Sequence, residues 1–218
     1  MISALPFAIP FAGYLIGSIP FSYLVVRLLT GADIREHGSR NVGATNVARN
    51  FGKLPGILAL ILDIAKGWSA VALARWLSAQ PGWPLVLGID AGAIHSAAFW
   101  AGLGALAAVV GHMFPIWLRF HGGKGVATAT GAYVALDPLS ISAALLVFLI
   151  VIVSTRFVSL SSMLAAASVP IFLRFFSHAP LWTLVFSILI AMLIIMKHHS
   201  NLARLVQGTE HRIGEPRS

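Results

Sequence analysis

The chain has 218 residues, of which 58% are hydrophobic and 10% are charged, with a formal net charge of +8. Soluble domains carry about 25% charged residues, so this composition excludes an ordinary soluble domain and predicts an all-α polytopic membrane protein. The chain has no cysteine, which excludes disulfides and a thiol nucleophile. Its basic residues lie in short segments between apolar runs, which fits membrane topology or anionic ligands better than nucleic acid.

Long apolar runs predict seven transmembrane helices within a single domain, residues 1–218. No charge precedes the first run, unlike in a cleavable signal peptide, so we expect it to be retained as a span. The predicted segments are Leu5–Val26, Pro55–Leu77, Leu87–Val110, Val126–Leu136, Leu139–Ser154, Phe157–Leu173 and Leu181–Met196. At about 1.5 Å per residue the fourth segment is too short to cross a bilayer. We therefore expect the preceding residues 122–124 to extend it as a broken or re-entrant segment that lines a polar cavity.

Polar residues interrupt the first three predicted spans. Pro20 predicts a kink in the first span, whose freed carbonyl another polar group satisfies. Asp63 and Lys66 are three residues apart in the second span, and we expect a structural pair that neutralises itself and shapes the floor of the site. Asp90 and His95 interrupt the start of the third span and are expected at the outer interface.

Basic residues are distributed unequally between the two sets of connecting loops. One set holds Arg75 and Arg174 only. The other set holds Arg27, Arg35, Arg40, Arg49, Lys53, Arg119, Lys124, Arg156, Lys197, Arg204, Arg212 and Arg217. Because basic loops stay in the cytoplasm, the N-terminus is predicted outside and the C-terminus inside.

The first polar patch on the predicted cytoplasmic side is the loop of residues 33–49. Its small residues can turn backbone N–H groups toward an anion, and arginine adds bidentate bonds to phosphate. The alternative is an ordinary polar loop whose arginines meet lipid headgroups. The candidate phosphate-binding residues are Arg35, Gly38, Ser39, Asn41, Gly43, Thr45, Asn46 and Arg49.

The second patch contains residues 120–128, which read FHGGKGVAT. This segment does not match the P-loop motif of nucleotide-binding proteins, because Leu118 stands at the position of the first glycine and Gly125 at that of the required Ser or Thr. Glycines around one lysine still suit a phosphate cradle. The candidates are Gly122, Gly123, Lys124, Gly125, Thr128 and His112, the last with a structural role at a helix end as the alternative. The third patch spans residues 198–210, and we expect the three patches to converge.

Five strings of the sequence resemble one family in order and spacing. GSRNVGATNVAR, GHMFPIWLRFHGGKGVAT and HHSNLARLVQGTEHR resemble the three signature motifs of the bacterial acyl-phosphate glycerol-3-phosphate acyltransferases (the PlsY family). GSIPF in the first span and DIAKG in the second are similar too. The resemblance implies a seven-span inner-membrane enzyme that moves an acyl group from acyl phosphate to the sn-1 hydroxyl of glycerol 3-phosphate, giving lysophosphatidic acid and phosphate.

The resemblance also implies roles for individual residues. Ser39, Arg49 and Lys124 match positions that bind phosphate and support the transition state. His198 and Asn201 match positions that hold glycerol 3-phosphate, and Arg204 and Glu210 of the same motif are further candidates for binding substrate or phosphate. The general base is either His198 or a substrate phosphate. One departure is Arg40, where the family usually has glycine, and arginine is less tolerant of positive φ.

This chemistry requires no covalent nucleophile, because acyl phosphate is already activated. No Gly-x-Ser-x-Gly elbow and no metal-ligand spacing occurs in the sequence, so we predict no cofactor and no obligatory metal. The expected partners are glycerol 3-phosphate, a long-chain acyl phosphate and membrane lipid, with no nucleic acid, for a monomer whose site faces the cytoplasm. The main alternative is a transporter or channel for phosphate or a phosphate-bearing lipid. Transporters place polar groups near the midplane within repeats, and neither feature is evident here.

Overall fold

A computed structural model describes residues 5–80 and 96–215, and in this part of the chain every regular element is helical. The chain divides into two compact units, Met1–Leu136 and Asp137–Ser218. The helices of the first unit are α1 Leu5–Ser18, α2 Phe21–Thr30, α3 Ala44–Phe51, α4 Lys53–Ser78, α5 Ala97–Met113 and α6 Val126–Leu136, with 3-10 turns at Ile34–Glu36 and Ile116–Leu118. Those of the second are α7 Pro138–Thr155, α8 Val158–Phe175, α9 Leu181–Lys197 and α10 His199–Val206.

Five of the described helical segments are long and apolar enough to cross a membrane, or six if α9 and α10, which bend by 56°, count as one span. The five are Phe7–Thr30, Lys53–Ser78, Ala97–Leu118, Pro138–Thr155 and Val158–Phe175. Helix α6 has the predicted bounds and is shorter. The start of the predicted third span, with Asp90 and His95, lies outside the described residues, as does Arg217. Seven spans therefore stay a prediction.

The predicted first span is interrupted, because α1 ends at Ser18 and α2 begins at Phe21. Proline fixes its own φ and has no N–H, so Pro20 cannot continue the helical hydrogen bonding. Lys66 Nζ of α4 donates to the Ile19 carbonyl at 2.9 Å. The predicted interruption at Pro20 is confirmed, but the carbonyl that Pro20 leaves without its helical donor is that of Ile16, which accepts from the Ile19 N–H at 3.3 Å and not from a side chain. The predicted continuous segment Leu5–Val26 is wrong at this break.

Small residues let the helices of the first unit approach closely. A methyl group on Gly67 of α4 would fall on the Thr128 carbonyl of α6, and one on Gly131 of α6 would fall on the Ile64 carbonyl of α4. Helix α1 packs against α5 in the same way at Gly17 and Gly111. Close backbone approach is the usual basis of helix association in a bilayer, where hydrophobic burial supplies no driving force.

The second unit is an apolar helical assembly with a polar C-terminal segment. Asp137 caps α7 by accepting from the Ser140 N–H at 2.8 Å, and Pro138 takes the first helical position, where its missing N–H costs nothing. Helix α8 packs against α7 and α9. The Arg156 guanidinium at the α7–α8 turn donates to the Ile213 carbonyl, and the Ile213 N–H donates to the Arg156 carbonyl at 2.9 Å. These bonds hold the C-terminal segment to this turn.

We expect Gly131→Ala to lower the apparent melting temperature in detergent, although alanine favours a helix. The methyl group has no space against the Ile64 carbonyl, and overpacking costs about 1–3 kcal/mol, more than the gain of about 1 kcal/mol in helix propensity. Val134→Ala is the control, because Val134 lies on the exposed side of the same helix. A Gly131→Ala protein as stable as the control would contradict the close α4–α6 contact.

Candidate active site

The loop between α2 and α3 is organised by Asn46, whose side chain is buried. Asn46 Nδ2 donates to the carbonyls of His37 at 3.0 Å and Asn41 at 3.1 Å. Its Oδ1 accepts from the Ser39 N–H at 3.2 Å. Asn46 therefore holds the backbone of the loop. The sequence predicted that this residue binds phosphate, whereas its side chain has a structural role here.

Ser39 lies on a tight turn between two residues in the left-handed region. Gly38 has φ 56° and Arg40 has φ 58°. Arg40 thus adopts the conformation that we expected it to tolerate less well than glycine, at a cost of roughly 1–2 kcal/mol. A methyl group on Gly38 would crowd the side chains of Asn46 and Asn50, so glycine is needed there for space as well. The turn presents the Ser39 side chain at the exposed surface.

Helix α3 carries the other candidates of the first patch. The Gly43 carbonyl begins the helix by accepting from the Asn46 N–H at 2.9 Å. Thr45 and Arg49 are exposed and four residues apart, so they share one face of α3. A hydroxyl and a guanidinium on one exposed face suit an anion.

Arg35 is engaged within its own loop. Its guanidinium donates to both carboxylate oxygens of Asp33, with the shortest distance 2.6 Å, and lies 5.4 Å from the centre of the Tyr23 ring. The hydrogen bonds from Arg35 hold the pKa of the Asp33 carboxyl below its ordinary value of 3.8. This pairing neutralises the charge that we predicted would bind phosphate.

The glycine loop caps the C-terminal end of α5. The Gly122 N–H donates to the Met113 carbonyl at 3.2 Å, and the Gly123 N–H donates to the His112 carbonyl at 3.1 Å. These two N–H groups are therefore used within the protein, unlike those of the predicted cradle. Gly125 has φ 83°, which favours glycine, and α6 begins at the next residue. The element suited to attract an anion is then the N-terminal end of α6, with Lys124 two residues before its first residue.

The glycine loop and the first loop meet in the first unit. Gly123 is buried, and a methyl group there would lie 2.6 Å from the Val42 carbonyl and would fall on His112 Nε2. The first two patches therefore converge as predicted. The third patch belongs to the second unit, and its convergence with them stays a prediction.

A buried polar cluster lies beneath the glycine loop. Asp63 and Lys66 form the predicted pair, with 2.8 Å between Oδ1 and Nζ. Ser22 Oγ donates to Asp63 Oδ2 at 3.2 Å, and His112 Nδ1 lies 3.6 Å from Asp63 Oδ1. Thr128, one turn into α6, is fully buried, and its hydroxyl finds no hydrogen-bond partner in the described part of the chain.

In the second unit, Glu210 joins the C-terminal segment to two helices. Its Oε1 accepts from Ser159 Oγ of α8 at 2.7 Å and from Asn201 Nδ2 of α10 at 2.6 Å, and its Oε2 accepts from Arg204 Nε at 2.7 Å. Burial alone would raise the pKa of the Glu210 carboxyl, but these hydrogen bonds outweigh burial and leave the pKa below its ordinary value of 4.5. Glu210 thus orients Asn201 and Arg204.

His198 is buried at the junction of α9 and α10. Its Nδ1 lies 2.8 Å from the Ile194 carbonyl, so the geometry assigns the proton to Nδ1, and Nε2 of the neutral ring is an acceptor. Asn201 is also buried, three residues later. Both candidates are therefore fixed by the protein.

Ser22 and Ser159 were not predicted from the sequence, because a lone serine in an apolar segment usually bonds to its own helix. Each instead donates to a carboxylate distant in the chain. Among residues 5–80 and 96–215, no three His, Asp or Glu side chains are placed to hold a metal ion.

The long apolar helices are those of a membrane protein, and the two loops of the first unit bring candidate phosphate-binding residues together. The sequence model described as glycerol-3-phosphate acyltransferase matches residues 7–208. The chain is 45% identical over 205 residues to the glycerol-3-phosphate acyltransferase of Desulforamulus reducens, covering 94% of each chain. It is 43% identical over 202 residues to that of Thermosynechococcus vestitus, covering 92% of each. The chain belongs to the glycerol-3-phosphate acyltransferase family.

Solved structures agree with this assignment. A crystal structure of PlsY (YgiH), an integral membrane glycerol 3-phosphate acyltransferase in its glycerol 3-phosphate form, superimposes with a TM-score of 0.83 at 39% identity, covering 97% of this chain and 96% of that one. The lysophosphatidic acid form gives a TM-score of 0.80 at 37% identity with the same coverage. The family resemblance of the sequence motifs is confirmed.

We expect Glu210→Gln to lower the apparent melting temperature near neutral pH, because Arg204 loses its charged partner. Since the pKa of Glu210 in the folded protein lies below 4.5, the carboxylate stabilises the fold above pH 4.5, and this contribution is lost as the pH falls through the folded-state pKa. The difference between the two proteins should therefore shrink below pH 4.5 in thermal scans.

Glu215→Gln is the matched control, because the Glu215 carboxylate is exposed and lies 3.8 Å from Arg212. We expect little change from it. A Glu210→Gln protein that melts with the control at every pH would show that the Glu210 bonds do not stabilise this unit.

Proposed function

We propose that this membrane acyltransferase transfers a long-chain fatty acyl group from acyl phosphate to the sn-1 hydroxyl of glycerol 3-phosphate. The products are lysophosphatidic acid and inorganic phosphate, and the reaction belongs to phospholipid biosynthesis. The observation that carries the proposal is the position of Lys124 in the glycine loop, separated only by Gly125 from the N-terminal end of α6. A cation and a helix N-terminus together favour phosphate.

The reaction requires positioning and charge stabilisation. The glycerol oxygen attacks the carbonyl carbon of acyl phosphate, and the bond from that carbon to the phosphate oxygen breaks. The phosphate leaves with the electron pair and takes up the hydroxyl proton. Because phosphate is a good leaving group, the protein needs to align two anions and to neutralise the charge that develops on the departing group.

Three residues of the first unit are assigned to the phosphate of the donor. Lys124 gives a charge-assisted bond to the departing phosphate. Ser39 in the first loop and Arg49 on α3, both exposed, support the same anion. The remaining residues of the two loops, including Asn46, Gly122 and Gly123, hold the backbone that carries these groups.

Four residues of the second unit are assigned to glycerol 3-phosphate. His198 and Asn201 contact the substrate, and both are fixed by hydrogen bonds, to Ile194 and Glu210 respectively. Arg204 adds a cation, and Glu210 orients Asn201 and Arg204. Support comes from the solved relative described in a glycerol 3-phosphate form.

The topology belongs to the same proposal. The chain crosses the inner membrane seven times as a monomeric single domain, with the N-terminus outside and the C-terminus in the cytoplasm. Support comes from the basic residues, which accumulate in one set of loops. The polar patches belong to that set, so the active site faces the cytoplasm, where glycerol 3-phosphate is available.

Donor use tests the function. We expect purified protein in detergent to release phosphate from acyl phosphate only when glycerol 3-phosphate is present, and to form no lysophosphatidic acid from acyl-CoA. The reason is that the proposed site stabilises a departing phosphate, whereas acyl-CoA would release a thiolate. Phosphate release without glycerol 3-phosphate, or robust acylation from acyl-CoA, would contradict the proposal.

Lys124→Ala tests the glycine loop. A charge-assisted bond contributes roughly 1.5–3 kcal/mol, and about 1.4 kcal/mol corresponds to tenfold, so kcat/KM should fall by about tenfold or more. Because the lysine neutralises the departing phosphate, kcat should fall and not only the apparent affinity. Lys124→Arg should restore activity only in part, since the planar guanidinium of arginine does not have the compact shape of the lysine ammonium.

Lys53→Ala is the control, because Lys53 is exposed at the start of α4 and belongs to the same basic set. It should leave kcat/KM unchanged. If Lys124 only reaches lipid headgroups, Lys124→Ala will behave like this control, and the assignment of the loop to phosphate is wrong.

A further inference from the structure

The charged pair inside α4 has no assigned part in the reaction. The Asp63 and Lys66 side chains are 1% and 2% exposed and lie 2.8 Å apart. Ionised groups within a membrane span are costly and commonly mark function. A pair that only neutralised itself would gain nothing over two apolar residues.

Lys66 has a structural role that accounts for its position. It donates to the Ile19 carbonyl at 2.9 Å, at the break between α1 and α2. That carbonyl precedes Pro20 and also accepts from the Phe21 N–H at 3.0 Å. The bond gives Lys66 a structural role at this break and explains Asp63 only as its counter-charge.

Asp63 does more than balance Lys66. Its Oδ2 accepts from Ser22 Oγ at 3.2 Å, and its Oδ1 lies 3.6 Å from His112 Nδ1. The second distance is an ion-pair distance, longer than a hydrogen bond. Asp63 therefore holds α2, α4 and the end of α5 together, and it attracts the Nδ1 side of the His112 ring.

His112 connects Asp63 to the glycine loop. The other ring nitrogen, Nε2, occupies the space where a methyl group on Gly123 would fall, and the His112 carbonyl accepts from the Gly123 N–H at 3.1 Å. The His112 side chain is 7% exposed. The ring is therefore a buried support between Asp63 and the backbone that leads directly into Lys124.

We propose that Asp63 is a positioning residue that acts through His112 to hold the Gly122–Lys124 backbone in register with the N-terminal end of α6. Asp63 keeps Nδ1 protonated and turned toward itself, so Nε2 faces Gly123. The proposal rests on the proposed function of Lys124. Displacing a catalytic group by about 1 Å can cost about a hundredfold in rate, so a loss of this support is measurable.

A double variant separates positioning from charge balance. Asp63→Asn alone leaves Lys66 unbalanced, and Lys66→Met alone leaves Asp63 unbalanced, so each single change should destabilise the protein. Combining them removes both charges and should recover much of the thermal stability. We expect the double variant to keep a kcat about ten to a hundredfold below that of the wild type, with much smaller changes in KM for both substrates.

A second comparison tests the route through the loop. If Asp63 acts by placing Lys124, adding the double variant to Lys124→Ala should lower kcat by less than about twofold further, because contacts in one network are not additive. Ser187→Ala is the control for altering a buried polar group in a span, since the Ser187 hydroxyl bonds to Leu184 of its own helix. It should leave kcat unchanged.

His112→Phe tests the same link without altering the charge pair. Phenylalanine keeps the ring beneath Gly123 and removes the nitrogen that faces Asp63, so kcat should fall as in the double variant. A folded double variant or a folded His112→Phe protein with wild-type kcat overturns the proposal, and so do losses that multiply fully with that of Lys124→Ala. An inactive wild-type protein would instead refute the proposed function.

Discussion

The first unit depends on one interaction, the ion pair between Asp63 and Lys66 in the middle of an apolar helix. An isolated charge there would be very costly, so the two residues are present together. Lys66 also donates to the Ile19 carbonyl, which accepts from the Phe21 N–H as well, at the break between α1 and α2. The buried pair therefore connects α4 to the break in the first span.

Each unit contains a buried carboxylate that contacts polar side chains from several separate segments of the chain. Asp63 gathers Lys66, Ser22 and the His112 ring, and Glu210 gathers Ser159, Asn201 and Arg204. A carboxylate accepts several bonds, so it can fix side chains that no regular backbone pattern would bring together. We propose that the substrate-binding residues of the motifs are held in fixed positions by these two carboxylates.

The sequence predicted what depends on local pattern. Apolar length located the long helices and the short segment Val126–Leu136, which is α6. It failed where tertiary contact decides. Asn46 and Glu210 were predicted as ligands of phosphate, yet their side chains bond to protein groups. No local signal distinguishes an amide or carboxylate that binds a ligand from one that holds the loop around the ligand.

Intact-mass spectrometry tests most directly the central claim that the protein aligns two phosphates and transfers the acyl group without a covalent intermediate. The purified protein would be mixed with acyl phosphate and glycerol 3-phosphate and quenched at intervals within one turnover. The account predicts an unchanged protein mass while lysophosphatidic acid accumulates. A mass increase equal to the acyl group, formed and lost at the rate of turnover, would contradict it.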